Sequence, residues 1–284
     1  MKITLALLCL RMLGRLPLGA SRAIAVIAGW GIGLLPWRRN LRVQENLARA
    51  FPQLEPSARR RLARANAVEM VSTALEASQL WHRDRKWLEA RIVSVDGVQH
   101  LEQARSLGRG VLLLGGHLGQ WELSILYGSW LMPMNYLYKP PKSTRVDALL
   151  GDFRSRFGAV MLPSGGAAMR RALRALRAGD SVGMLFDQLP KGGHSVCAPF
   201  FGQPTATMRL PHSLIQRTGC TVVMGNCLRL PNGRGWRIVF DPVPGADDAD
   251  PVVAATAMNR VLEQVIRRAP EQYLWQYRRF SELP

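Results

Sequence analysis

The sequence is poor in acids, in lysine, in cysteine and, at its N-terminus, in long uncharged runs. Asp and Glu number 20 against 38 Lys and Arg, a net charge of +18 over 284 residues. Lysine occurs only at positions 2, 86, 139, 142 and 191, so the basic field is an arginine field. A surplus of this size points to a polyanionic partner: nucleic acid, an anionic membrane face, a phosphorylated substrate or an acidic protein. The four cysteines, Cys9, Cys197, Cys220 and Cys227, are scattered without metal-ligand spacing. That argues against a zinc site or a disulfide scaffold, and they read as reduced, buried thiols. No internal repeat and no low-complexity linker divides the chain. In the N-terminal segment the longest uncharged stretch, Ala23 to Trp37, falls short of the ~20 residues a spanning helix usually needs.

Hydrophobic residues make up 48% of the chain, which excludes a disordered protein and suffices for one main domain with an N-terminal extension. Residues 1–40 read as a membrane-anchoring segment, embedded or interfacial, with a buried core helix as the alternative. Arg11, Arg15 and Arg22 interrupt its apolar residues, but arginines can snorkel. Trp30, Trp37 and the Arg38/Arg39 pair have the character of an interfacial anchor. Lys2 and the apolar residues after it mimic a signal peptide, but no A-x-A site follows.

Residues 41–284 form the remaining domain, with a helical lead-in over 41–90 and an α/β core over 91–284. In the lead-in, "PSARRRLARANAVEMVSTALEAS" opens on Pro56-Ser57 and places apolar residues at helical spacing. Arg59, Arg60, Arg61 and Arg64 crowd its first turns, as a solvated face or as a contact for anionic headgroups. From about residue 91 short apolar segments alternate with longer amphipathic ones. Strands are expected at 111–115, 134–138, 159–162, 181–186, 221–228 and 236–240. Helices are expected near 97–107, 120–131, 144–157, 167–177, 207–217 and 251–268. This alternation implies an α/β fold with a mostly parallel central sheet flanked by helices.

The stretch "LLLGGHLGQWELS" lies where such a strand meets its helix. His117 falls at the strand's carboxyl end, in the crevice where α/β sheets bind ligands. Within one helix an i, i+5 pair sits about 140° apart and cannot meet, given ~100° per residue. With His117 outside the helix, Glu122 in its first turns can reach back towards the imidazole. A neutral His backed by a carboxylate is a general base. A lone His at a turn is also a common structural feature, and spacing alone leaves both readings open. No Ser or Cys near His117 presents itself as a nucleophile, so the base would act on a substrate hydroxyl. Backbone N–H groups of the helix start, or an Arg, would steady the oxyanion. His82, His100, His194 and His212 lack such carboxylate patterns.

At this point the chain resembles a known family. "GGHLGQWEL" is similar to the H-x4-D/E motif of glycerolipid-type acyltransferases, and more closely to that of the bacterial lipid A biosynthesis (late) acyltransferases. Four further blocks, in the family's order, extend the resemblance over nearly the whole chain. "RRNLRVQENLARAFPQL" carries Asn46, Leu47, Phe51 and Pro52. "LYKPPKSTRVDALLGDFRSRFGA" carries the Arg154/Arg156 pair. "GMLFDQLPKGGHSVCAPFFGQPTAT" carries Asp187, Gln188 and the Phe200–Gly202 turn. "PEQYLWQYRRF" carries Trp275, Arg278 and Arg279. The chain departs from the family pattern at Gln120, Tyr277 and Lys139, positions that bear on specificity more than on reaction type.

The resemblance implies transfer of a fatty acyl chain from an acyl carrier protein thioester to a hydroxyl of a phosphorylated glycolipid, a lipid A precursor. The place implied is the cytoplasmic face of a bacterial inner membrane. It implies His117 as base and Glu122 as its partner. Substrate binding falls to Arg154, Arg156, Asp187, Gln188 and Lys139, with Lys191 in a loop on the same side. Residues two apart do not share a helix face, so one of Arg154 and Arg156 is expected to point away. Asp187 has three candidate roles: capping its turn, positioning the acceptor or supporting His117. "APFFG" reads as a buried turn more than as an acyl groove. Trp275, Arg278 and Arg279 read equally as an interfacial anchor or a structural C-terminus. No metal or redox cofactor is called for, and acyl carrier protein or CoA supplies the thioester.

Acyl carrier protein, an anionic leaflet and a phosphorylated acceptor would each account for the charge. The alternative is an acyl-CoA-dependent enzyme acting on another lipid, such as a phosphatidylinositol mannoside, an ornithine lipid or a lysophospholipid. A basic nucleic-acid-binding protein is disfavoured, because aromatics do not interleave with the basic runs. A lipid-binding family member without activity is argued against by the intact His117/Glu122 pair.

Overall fold

A computed structural model describes residues 12–189 and 194–280. Three long helices lead in: α1 (Leu18–Leu34), α2 (Arg38–Ala50) and α3 (Pro56–His82), followed by the short α4 (Arg85–Glu89). The core then runs β1 (Ile92–Asp96), α5 (Val98–Ser106), β2 (Val111–Gly115), α6 (Trp121–Leu131), β3 (Met134–Tyr138), α7 (Thr144–Ser155), β4 (Ala159–Pro163), α8 (Gly166–Arg177) and β5 (Ser181–Leu185). It continues through a hairpin, β6 (Ser195–Phe200) and β7 (Gln203–Met208), then α9 (Leu210–Thr218), β8 (Thr221–Arg229), β9 (Trp236–Pro242) and α10 (Pro251–Arg268).

Seven strands form one sheet in the order β1-β9-β8-β2-β5-β3-β4. Every neighbouring pair is parallel except β8 with β9. The reason is legible in β2, "VLLLG", which is buried at all five residues, as a strand covered on both faces must be. Its side chains alternate between two apolar layers. Leu112 and Leu114 join Val182, Met184, Leu262 and Trp275 on one side; Val111 and Leu113 join Leu126, Tyr136 and Trp236 on the other. Local signals set the helix ends. Ser143 caps α7 through the Val146 N–H, and Asp250 caps α10 through the Val252 N–H ahead of Pro251.

The expected strands and helices all form. Two features differ from expectation. β1 is an edge strand of mixed polarity, half-buried apart from exposed Val93, so neither a buried apolar run nor a strict alternation marks it. The β6–β7 hairpin was masked by Pro199 and Pro204, residues that ordinarily argue against a strand. Here they lie opposite each other in the register. Phe201 and Gly202 make its two-residue turn, both at positive φ (49° and 72°). The helix expected from 207 therefore begins at Leu210. Of the three described cysteines Cys220 and Cys227 are buried, but Cys197 is exposed, because it lies on the outer face of this hairpin. Cys9 and Lys191 lie outside the described residues.

α1 lies along α3. Its inner stripe is small, Ser21, Ala25 and Gly29, and a Cβ at Gly29 would run into the backbone of Val68. Arg22 does not interrupt a lipid-facing surface. It pairs with Glu69 of α3 at 2.6 Å and donates to the Ser72 hydroxyl. The larger apolar residues, among them Ile27, Trp30 and Leu34, point outwards. Among the described residues no single helix is long and apolar enough to cross a membrane. α1 and α2 together pass by length and composition, across a bend of 88°.

Candidate active site

The site is built at the carboxyl ends of the two adjacent parallel strands β2 and β5. Their register pairs Val111 with Ser181 and Gly115 with Leu185. Two residues beyond both strand ends, His117 meets Asp187. The ring Nδ1 lies 2.7 Å from Asp187 Oδ1, and the His117 backbone N–H donates to Asp187 Oδ2 at 2.9 Å. Asp187 thus binds both the imidazole and the backbone that carries it. A proton on Nδ1 donated to the carboxylate leaves Nε2 as an acceptor. Gln188 Nε2 approaches it at 3.3 Å. The His117 side chain keeps 19% of its surface exposed, while Asp187 keeps 2%. The Trp121 ring stands edge-on to the imidazole at 5.3 Å.

The loop that carries His117 is pinned on every side. Gly116 N–H donates to Asn226 Oδ1 on β8, Gly119 N–H to the Gln272 carbonyl and Gln120 N–H to the Cys227 carbonyl. The His117 carbonyl accepts from Leu274 N–H. Gly119 has φ +60°, and a Cβ there would strike the Cys227 carbonyl, so close approach of two backbones requires glycine. The Asp187 turn is held as firmly, since Leu189 N–H donates to the Tyr277 hydroxyl at 2.7 Å. The loop's own amides are therefore engaged. The N–H groups of Trp121 and Glu122, at the start of α6, have no partner among the described residues. These are the donors the helix start leaves for an anion.

Glu122 does not reach back to His117. It forms a bidentate pair with Arg154 of α7: Arg154 Nε donates to Oε2 at 2.9 Å and Nη2 to Oε1 at 2.5 Å. Both side chains are largely buried, at 9% and 11% exposure. The physical reason for the difference is the strand register, which delivers a carboxylate from the neighbouring strand to the position expected to be filled from the following helix. Arg154 and Arg156 do diverge, as their spacing demands. Arg156 caps the end of α3, donating to the carbonyls of Leu80, Trp81 and Arg83. It is not brought to His117. Lys139 is exposed directly after β3, on the same carboxyl edge of the sheet but two strands from β2.

The electrostatics favour a charged Asp187. Burial opposes ionisation, but His117 and then Arg279 outweigh it and hold the carboxyl below its ordinary pKa. Arg279 is itself enclosed, donating to the Ala206 carbonyl, Thr207 Oγ1 and Asn259 Oδ1. With Trp275, also fully buried, it is a structural residue rather than a surface anchor; Arg278 alone of the three is exposed. The neighbouring Tyr273 hydroxyl is pushed well above its ordinary pKa by burial, then by the Asp187 charge. Behind the site lies a second buried cluster. Arg229 of β8 bonds Glu76 through Nε at 2.5 Å and Glu69 through Nη1 at 2.5 Å. Gln120 Nε2 and Trp236 Nε1 both donate to Glu76 Oε2.

Asn226, Tyr273 and Arg229 carried no functional signal in the sequence, because each acts by where the fold puts it; Tyr277 stood out only as a departure from the family pattern. Asn226 is placed by strand order: the 110-residue offset between β2 and β8 brings it opposite Gly116.

The family model described as "Bacterial lipid A biosynthesis acyltransferase" matches residues 2–282. The lipid A biosynthesis palmitoleoyltransferase of Escherichia coli (strain K12) is 29% identical over 252 residues, covering 87% of this chain and 80% of the relative. The lipid A biosynthesis lauroyltransferase of the same organism is 29% identical over 267 residues, covering 90% and 85%. The lipid A biosynthesis acyltransferase of Haemophilus influenzae is 27% identical over 249 residues, covering 87% and 77%.

Proposed function

This chain belongs to the bacterial lipid A biosynthesis acyltransferase family, and we propose that it moves a fatty acyl chain from a carrier thioester to a hydroxyl of a phosphorylated glycolipid, with His117 as general base and Asp187 as the residue that orients it. The observation that carries the reading is the bond from His117 Nδ1 to Asp187. It fixes the tautomer that leaves Nε2 free to take a proton, and it stabilises the imidazolium formed.

In the proposed step Nε2 removes the proton of the acceptor hydroxyl as its oxygen attacks the thioester carbonyl. The oxyanion that forms is met by the amides of Trp121 and Glu122. When the tetrahedral intermediate collapses, the C–S bond breaks and the thiolate takes the proton from His117. The products are the ester and the free carrier thiol, and His117 returns neutral. Glu122 acts one step removed: its pair with Arg154 sets the start of α6, where these amides lie. Gln188, beside Nε2, is placed to bind the incoming hydroxyl.

The outward apolar face of α1 and the arginines after it support work at an anionic membrane surface, and the net charge supports an acidic carrier protein as donor. Purified His117→Ala should lose acyl transfer; full activity in that variant would overturn the assignment. Competition between acyl carrier protein and CoA thioesters identifies the donor, and preference for CoA would favour the alternative lipid reading.

A further inference from the structure

A cavity of about 430 Å³ opens between α2 and the C-terminal segment, and none of the residues that line it belongs to the His117 site. Four arginines line it, Arg38, Arg42, Arg49 and Arg278, against one acid, Glu45. Glu45 forms no ion pair among the described residues. Arg42 and Arg49 each give one N–H to the chain, to the carbonyls of Gln276 (3.3 Å) and Phe280 (2.9 Å). Arg38 and Arg278 have no partner among the described residues. A guanidinium has five donors, so most of the cavity's N–H groups are unclaimed.

The start of α2 is built against its own stability. Two arginines, Arg38 and Arg39, occupy the first turn, no acid accompanies them and no side chain caps the helix. Cations there oppose the helix dipole, and only an anion from outside would offset them. Leu41, another lining residue, is 52% exposed, and Trp37 and Leu34, close before it in the chain, are exposed apolar residues as well. A site for an anion therefore adjoins a surface for hydrocarbon, the complement of an amphiphile.

We propose that this cavity binds the phosphate of an anionic bilayer lipid, with Leu41, Trp37 and Leu34 against the lipid's apolar part. The proposal rests on the membrane-surface reading given above and gives it a specific site. A free phosphate would not account for the apolar rim, and the acceptor's phosphate would be expected to share residues with the His117 site.

The test is partition of the purified full chain into vesicles of phosphatidylcholine alone, and of equal parts phosphatidylcholine and phosphatidylglycerol. Arg38→Gln/Arg278→Gln removes two charges from side chains that have no partner among the described residues. Arg170→Gln/Arg174→Gln removes two from the exposed face of α8 and serves as the charge-matched control. The α2 variant should lose roughly tenfold or more in partition to the anionic vesicles, and the α8 variant under about twofold. Equal losses in both variants, or none in either, would overturn the site while leaving the membrane reading intact. A wild-type protein that binds neither vesicle overturns both. Calorimetry with inorganic phosphate alone should show no binding; tight binding would make this a free-phosphate site. A raised acceptor KM in the α2 variant, with vesicle binding unchanged, would assign the cavity to the acceptor and also overturn the proposal.

Discussion

His117 and Asp187 stand at the same height, each two residues past the end of one of two neighbouring strands. The offset of 70 residues that pairs Val111 with Ser181 runs on past both strand ends to the 2.7 Å contact between imidazole and carboxylate. The pair is therefore set by the hydrogen-bond ladder of the sheet, from which two short, firmly pinned loops lead.

Asp187→Asn keeps the shape of this contact and removes its charge. A fall in kcat of about 10²–10⁴, the range for positioned acid–base catalysis, is expected without loss of the folded state. Because Asp187 is held below its ordinary pKa, it is ionised throughout the neutral range. The wild-type pH–rate profile should then show no carboxylate limb above about pH 5. Steady-state kinetics between pH 5 and 9 check both outcomes; near wild-type kcat in the variant would remove Asp187 from the mechanism.

The Glu122–Arg154 pair can be separated from catalysis by stability. Removing one partner strands a largely buried charge, and Glu122→Gln should cost about 3–5 kcal/mol in urea unfolding. The double variant Glu122→Gln/Arg154→Gln should recover part of that loss. If activity returns with stability, Glu122 acts through the fold. A stable but inactive double variant would instead place Glu122 in the chemistry.

Arg229→Met leaves Glu69 and Glu76 buried near one another, with Arg22 the remaining cation of the cluster. A loss of about 3–5 kcal/mol is expected, with little dependence on salt, since buried pairs are weakly screened. Urea midpoints at low and high ionic strength measure it. A loss below about 1 kcal/mol would show the cluster to be worth no more than surface pairs.

The thiols should differ in reactivity. Burial raises the pKa of Cys220, and burial followed by the Glu76 charge raises that of Cys227 well above its ordinary value. A raised pKa means less thiolate, the reactive form, at any given pH. In a Cys9→Ser background, a thiol reagent at pH 8 should label one residue, Cys197, under native conditions and all three in urea. Mass spectrometry of labelled peptides checks this, and native labelling of Cys227 would contradict the packing of β8.

The sequence by itself determined most of the elements, though not β1 or the β6–β7 hairpin, and the sheet edge at which His117 lies. Buried strands such as "VLLLG" and amphipathic helices such as α8 announce themselves through hydrophobic period, and the Gly115-Gly116 pair at the end of β2 marks the exit to His117. The motif blocks were legible for the same reason, being local and contiguous. Only the tertiary structure decided who partners whom. Glu122 lies five residues from His117 and was the natural candidate, yet it turns to Arg154 on the next helix. Asp187, 70 residues away, takes the imidazole. That choice follows from which strands lie side by side, and in a parallel sheet neighbours are joined through long crossovers, so sequence distance says little about contact.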